Sequence, residues 1–246
     1  VAVRLYREQK RPQDAVGVLE TAALISEGDP EAAHGFLSEL ALVCEEDLED
    51  ESKARDAWER ALRHRPEDER AFTRVVELSR KLSKEQTLYL LLGAVIGQVK
   101  RAERRQAFLR EQAELARGPL QQPDKAIDHF EALRDALPQD RDAAEALRAL
   151  YREQEQWEDL AALLEELAPG EVVPDAAGCW REVAAIAEKR LEDLPRAAQA
   201  LEVLLNEVSD PQDPGWESLA SLYARLEQPR EQLRVQLQTV ELAEAD

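Results

Sequence analysis

No methionine occurs in the chain, and asparagine occurs once, at Asn206. With a first residue, Val1, that falls inside a repeat, this points to an internal piece of a longer protein, so a missing leader segment carries no weight. The two cysteines, Cys44 and Cys179, are too few for a disulfide framework and lack zinc-ligand spacing. They fall about four repeats apart, beyond disulfide reach in a stacked array, and read as buried small side chains compatible with a reducing compartment. The longest apolar run, from Leu88 to Gly97, is too short to cross a bilayer.

Basic surplus is missing too. The net charge is -20, and the one notable basic cluster, Lys100-Arg101 with Arg104-Arg105, sits in a mixed helix. That excludes a nucleic-acid binder's basic stripe and argues against anionic membranes, while favouring basic partners. His34, His64 and His129 occur singly, without metal-ligand spacing, and no glycine-rich phosphate loop is present. No residue pattern points to catalysis, a cofactor or a metal. Arginine outnumbers lysine, a composition that fits a GC-rich bacterial genome.

What is present is repetition at a step of about 72 residues. Leu5-Tyr6-Arg7-Glu8-Gln9 returns as Leu150-Tyr151-Arg152-Glu153-Gln154 and, more weakly, as Leu222-Tyr223-Ala224-Arg225-Leu226. Phe36-Leu37-Ser38-Glu39 returns as Phe108-Leu109-Arg110-Glu111 and Cys179-Trp180-Arg181-Glu182. Ala, Leu, Glu and Arg dominate, and the apolar residues recur at spacings of three and four, so each block predicts helices, not strands.

Each block splits into two helical hairpins of different type. The first type is clearest at 31–66, with helices over about 31–48 and 52–64 and Pro66 ending the second while opening the next helix. It returns over about 103–138 and 175–210, the last with Ser209 in the proline position. The second type is clearest at 139–169, with relatives at 1–26, 67–99 and 213–244, and Ser79 standing where Tyr6, Tyr151 and Tyr223 stand. The stretch from Ala168 to Asp175 reads as a loop within one continuous array. Seven hairpins account for nearly the whole chain.

Ala54, Trp58, Ala61 and Pro66, echoed by Ala126, Phe130, Leu133 and Pro138, resemble the small, aromatic, small and proline positions of tetratricopeptide repeats. Ala41 and Ala113 match the small residue of that family's first helix, and Tyr6, Tyr151 and Tyr223 its aromatic; the Trp-Leu-Gly opening is missing. The resemblance implies an all-α, right-handed α-α solenoid and a non-catalytic scaffold that binds a protein or peptide on its concave face or at its ends. The carboxylate clamp of tetratricopeptide co-chaperones is absent, since the matching positions are acidic or apolar. A recruiting segment of a larger enzyme or transcription regulator, or a subunit of an envelope, motility or secretion assembly, are the alternatives.

In that arrangement the first helices line the groove. Glu39, Glu111 and Glu182 share one register on them, with Glu145 at the same register in the other hairpin type. Phe36 and Phe108 stand one turn before, and Val43, Leu115 and Ile186 one turn after. Such a strip predicts an acidic, partly apolar surface for a basic peptide, against a plain solvated face with the two phenylalanines in the core. The apolar helix Leu88–Val99 reads as a buried helix or as a self-association patch.

Overall fold

The structure is a computed structural model that describes residues 2–170, 175–208 and 210–245, apart from the side chains of Ala2 and Ala245. Ser209 and most of the segment read as a loop before Asp175 lie outside the described residues. The described residues form fourteen α-helices and no strand. They pair as α1 (Ala2–Glu8) with α2 (Pro12–Ile25), α3 (Pro30–Glu46) with α4 (Glu51–His64), α5 (Glu69–Lys81) with α6 (Glu85–Val95), and α7 (Ala102–Arg117) with α8 (Pro123–Ala136). Then come α9 (Arg141–Glu153) with α10 (Trp157–Leu167), α11 (Ala176–Lys189) with α12 (Leu194–Val208), and α13 (Gly215–Arg225) with α14 (Pro229–Ala245). These are seven helical hairpins. The chain divides into two compact units, Val1–Ala136 with four hairpins and Leu137–Asp246 with three.

Local chemistry places the helix starts. Pro12, Pro30, Pro123 and Pro229 occupy first helical positions, where the missing N–H is no loss. At four other helices aspartate is the cap: Asp50 accepts the Lys53 N–H, Asp68 those of Arg70 and Ala71, Asp140 that of Ala143, and Asp175 that of Gly178. Pro66 ends α4 but does not open α5. It sits three residues before Glu69, and Asp68 does the capping.

The two hairpin types differ in their turns. Every turn has one non-glycine residue in the left-handed region: Lys10, Glu49, Ser83, Gln121, Glu155, Glu192 and Glu227, with φ between 50 and 56°. In the second type, the next residue donates five positions back, closing a Schellman motif: Arg11 to Tyr6, Lys84 to Ser79, Gln156 to Tyr151 and Gln228 to Tyr223. In the first type the loop is one residue wider. Asp50 donates to Cys44, Gln122 to Ala116 and Asp193 to Ala187, and a leucine (Leu48, Leu120, Leu191) precedes the left-handed residue. The 72-residue step is thus written in backbone geometry as well as in side chains.

Small residues let helices approach, and large ones fill the remaining space. In the first unit Ala54, Ala61 and Ala126 are fully buried, and Trp58 and Phe130 with them. Phe72 stacks on Phe108 with ring centroids 4.8 Å apart. Helix α6 buries Leu88, Leu91, Leu92 and Val95 and leaves Leu90 outside, so most of its apolar residues serve the core. In the second unit Leu160, Leu164, Val183, Leu204 and Leu205 form the interior. Where Ser79 replaces tyrosine, Arg55 enters the space. It is 5% exposed, and its Nε–H donates to Ser79 Oγ at 3.1 Å. One 72-residue block later Ile127 stands in its register, and one further Ala198.

Candidate partner-binding site

The glutamates at the shared register meet different surroundings. Glu39 on α3 is exposed and has no ion pair among the described residues. Glu111 on α7 receives Arg80 Nη2 at 2.8 Å on both oxygens. Glu182 on α11 is gripped by Arg148 and Arg152 of α9. Glu145 is exposed and pairs with Arg141 one turn away at 2.7 Å.

The electrostatics follow from these partners. Burial pushes the Glu111 carboxyl up, and one largely exposed arginine does not offset it. Burial also raises Glu182, but Arg152 and Arg148 outweigh it and hold the carboxyl below the usual range. Of the apolar neighbours, Phe108, Val43, Leu115 and Ile186 are buried, and Phe36 is half-buried against the core. These five side chains pack the hairpins. The part of the strip that reaches solvent is Glu39, Glu145 and the edge of Phe36.

The missed residues are arginines. Arg7, Arg80, Arg152 and Arg225 recur at steps of 72 or 73 in the last turn of α1, α5, α9 and α13. Each sits where a cation complements the helix C-terminus. Each also reaches a neighbouring hairpin: Arg7 to Glu46 and Asp47, Arg80 to Glu111, Arg152 to Glu182, and Arg225 to Glu188. The signal was visible in the recurring Leu-Tyr-Arg-Glu-Gln phrase, whose arginine carries the inter-hairpin pairing.

These arginines change the charge of the face. The seven first helices together hold sixteen Arg and Lys against sixteen Asp and Glu, whereas the seven second helices hold nine against nineteen. The acidic surplus therefore lies on the second helices and the connections. The first helices are charge-balanced, and α3, with four glutamates and no Lys or Arg, is the acidic exception.

In the second unit, successive first helices leave clefts. One of about 200 Å³ lies between α9 and α11, beside Arg141, Glu145 and Arg148. Another of about 210 Å³ lies between α11 and α13, beside Arg181, Glu188 and Lys189. Both offer charges of either sign around a small apolar floor.

The groups with reactive potential are held in structural roles. Burial raises the Cys44 thiol to about 11 and also raises Cys179, so both are poor nucleophiles at neutral pH. His34 Nε2 lies 2.5 Å from Asp68, and Ser38 Oγ lies 3.5 Å from the same nitrogen, which leaves no relay through the ring. His129 Nε2 meets the Tyr89 hydroxyl at 2.8 Å. Among the described residues no three His, Cys, Asp or Glu side chains gather to hold a metal, and no helix is long and apolar enough to cross a membrane.

No family model and no curated protein matches the chain. Solved structures do match. A tetratricopeptide repeat protein from Parabacteroides merdae is 19% identical over 82% of this chain and 77% of its own, with a TM-score of 0.42. Pseudomonas aeruginosa pilF is 15% identical over 89% and 94%, at 0.41. A Naa15/Naa10 structure bound to HypK-THB is 15% identical over 91% of this chain and 38% of that one, at 0.44. At these scores the chain's own geometry carries the assignment: among the described residues, seven helical hairpins in two alternating turn types, with buried alanines and aromatics at repeating positions, make a tetratricopeptide-like helical-repeat fold.

Proposed function

We propose that the chain is a non-catalytic scaffold that holds a protein segment against its first helices. The observation that carries this reading is the pair of clefts between α9, α11 and α13, each lined by charges of both signs on rigid helices. Such a surface suits an extended peptide with mixed charges, read by charge-assisted hydrogen bonds. Basic side chains of that segment meet Glu145 on α9, the acid of the predicted strip that stands in solvent beside the first cleft. Glu182 contributes by fixing Arg148 and Arg152 in place, and Ile186 supports the face from within.

The test has two stages. Capture from native lysate with mass spectrometry identifies the partner, and calorimetric titration then measures its affinity. Glu145→Lys lowers affinity about tenfold, with a weaker salt dependence. An unchanged affinity in that variant rules out the first-helix face of the second unit as the docking surface.

A further inference from the structure

The junction between α9 and α11 lacks two rings that its counterpart in the first unit has. There Phe72 of α5 stacks on Phe108 of α7, with centroids 4.8 Å apart, and the Arg104 guanidinium lies over Phe72 at 5.2 Å. One 72-residue block later Ala144 stands for Phe72 and Cys179 for Phe108. A ring returns at the next step as Trp216, which is buried. The register thus runs phenylalanine, alanine, tryptophan, and the alanine shares its cleft with a cysteine.

The cleft of about 200 Å³ opens at the position of those rings. Ala144, Cys179 and Leu167, all buried, form its floor, and Arg141, Arg148 and Asp175 stand around it. A cavity of roughly 150 Å³ takes a benzene ring. The space therefore suits one ring and the carbon that carries it, not two.

The rim selects an aromatic ring over an aliphatic chain. Arg141 and Arg148 lie three residues before and four after Ala144, so both reach the same helix face. Arg148 holds Glu182, but its Nε–H is shielded from solvent and has no acceptor among the described residues. Guanidinium over a ring is the arrangement that Arg104 and Phe72 already show at this register, and the second unit uses it again with Arg190 over Trp157 at 4.7 Å. The flanking charges are exchanged between blocks: Glu69 and Arg104 become Arg141 and Asp175, so opposite signs still bracket the ring position. Glu145 and Asp175 suit the polar groups beside a ring carried on a peptide, and not a free hydrocarbon.

We infer that the α9–α11 cleft is a socket for one aromatic side chain of the bound protein segment, seated over Ala144 and Cys179 between the Arg141 and Arg148 guanidinium groups. The inference rests on the first-helix reading for the source of the ring, and it makes that ring the anchor of the segment.

N-acetylphenylalaninamide, titrated into the isotope-labelled chain, tests the socket without the partner. In nitrogen–proton correlation spectra the amides of Ala144, Glu145 and Cys179 shift saturably, with a dissociation constant on the order of 1 mM. N-acetylleucinamide binds about fivefold more weakly, because it lacks the guanidinium–ring contact. Ala144→Phe puts the missing ring back from α9 and abolishes the response. Cys179→Phe does the same from α11, so the test holds if one variant fails to fold. Equal affinity for the two amides, shifts scattered over the surface, or a response that survives in either folded variant overturns the socket. Those failures leave the first-helix face standing, because Glu145→Lys with the captured partner tests that face directly. A socket that takes the amide while Glu145→Lys leaves partner affinity unchanged removes the first-helix reading, and with it the source of the ring, but not the socket.

Discussion

His34 meets Asp68 across 2.5 Å, Nε2 to Oδ2, while the other oxygen of the same carboxylate caps α5 by accepting the Arg70 and Ala71 N–H groups. One aspartate thus ties α3 to the start of α5. Burial raises its carboxyl, but Ala71, His34 and Arg70 outweigh that and hold it below the usual range. A depressed carboxylate stabilises the fold above its unfolded pKa, about 3.9, and loses that contribution as pH falls through the folded value. Asp68→Ala should lower the unfolding free energy at pH 7 by about 1–2 kcal/mol, read from urea titration. Asp68→Asn, which keeps a capping oxygen, should lose less. The difference between wild type and Asp68→Ala should narrow below about pH 4.

Glu111 and Glu182 stand at one register and respond to pH in opposite senses. The raised carboxyl of Glu111 means that its ionised form is penalised in the fold, a penalty that develops as pH rises through the folded pKa. Glu111→Gln should therefore leave stability at pH 7 unchanged or higher. The lowered carboxyl of Glu182 contributes stability above its unfolded pKa, about 4.3. Glu182→Gln should remove about 1–3 kcal/mol at pH 7, because Arg148 and Arg152 lose their shared acceptor. Thermal melts of both variants at pH 7 and pH 3 separate the two cases. Equal destabilisation at pH 7 contradicts the assignment.

The hairpins were legible because their determinants are local. Ala54, Trp58, Ala61 and Leu62 share one helix face by spacing alone, and the small-plus-aromatic pattern needs no distant partner. The site was less legible. Glu39, Glu111 and Glu182 look alike in one dimension, yet what distinguishes them is whether an arginine about thirty residues earlier reaches across a hairpin boundary. Spacing shows which residues share a register, and three-dimensional packing decides which of them are already neutralised. The left-handed turn residues were silent for a different reason. None is glycine, so nothing in their identity marks the conformation.

That silence has an energetic consequence. Lys10, Glu49, Ser83, Gln121, Glu155, Glu192 and Glu227 all adopt positive φ with a side chain present, a conformation that costs a non-glycine residue about 1 kcal/mol or more. Glycine relieves this at a positive-φ turn residue, whether at the C′ position of a Schellman turn, as at Glu155, or in the wider turn of the first type, as at Glu49, less its own loss of chain entropy. Glu155→Gly and Glu49→Gly should each raise stability by about 0.5–1 kcal/mol, and the pair should be additive because the sites share no partner. Differential scanning calorimetry on both singles and the double checks this. A fall in melting temperature for either single shows that the side chain contributes more than its conformational strain.

Arg55 and Ser79 form the one buried arginine–serine contact at the tyrosine register, and they make the sharpest packing prediction. Arg55 Nη1 reaches Asp56 and Nη2 lies 2.8 Å from Glu59, so its charge is balanced at the rim while its stem fills the interior. Removing it by Arg55→Ala should cost about 2–4 kcal/mol, from the cavity and from the lost donor to Ser79. Ser79→Tyr alone should also destabilise, by about 1–3 kcal/mol, because the ring enters space that Arg55 occupies. The double variant recreates the combination found at Ala198 and Tyr223, where the ring is buried and its hydroxyl donates to Glu202 at 2.7 Å. Its loss of stability should be smaller than the sum of the singles by at least about 1 kcal/mol, as urea-based double-mutant cycles will measure. Strict additivity shows that the serine and the arginine do not compensate each other.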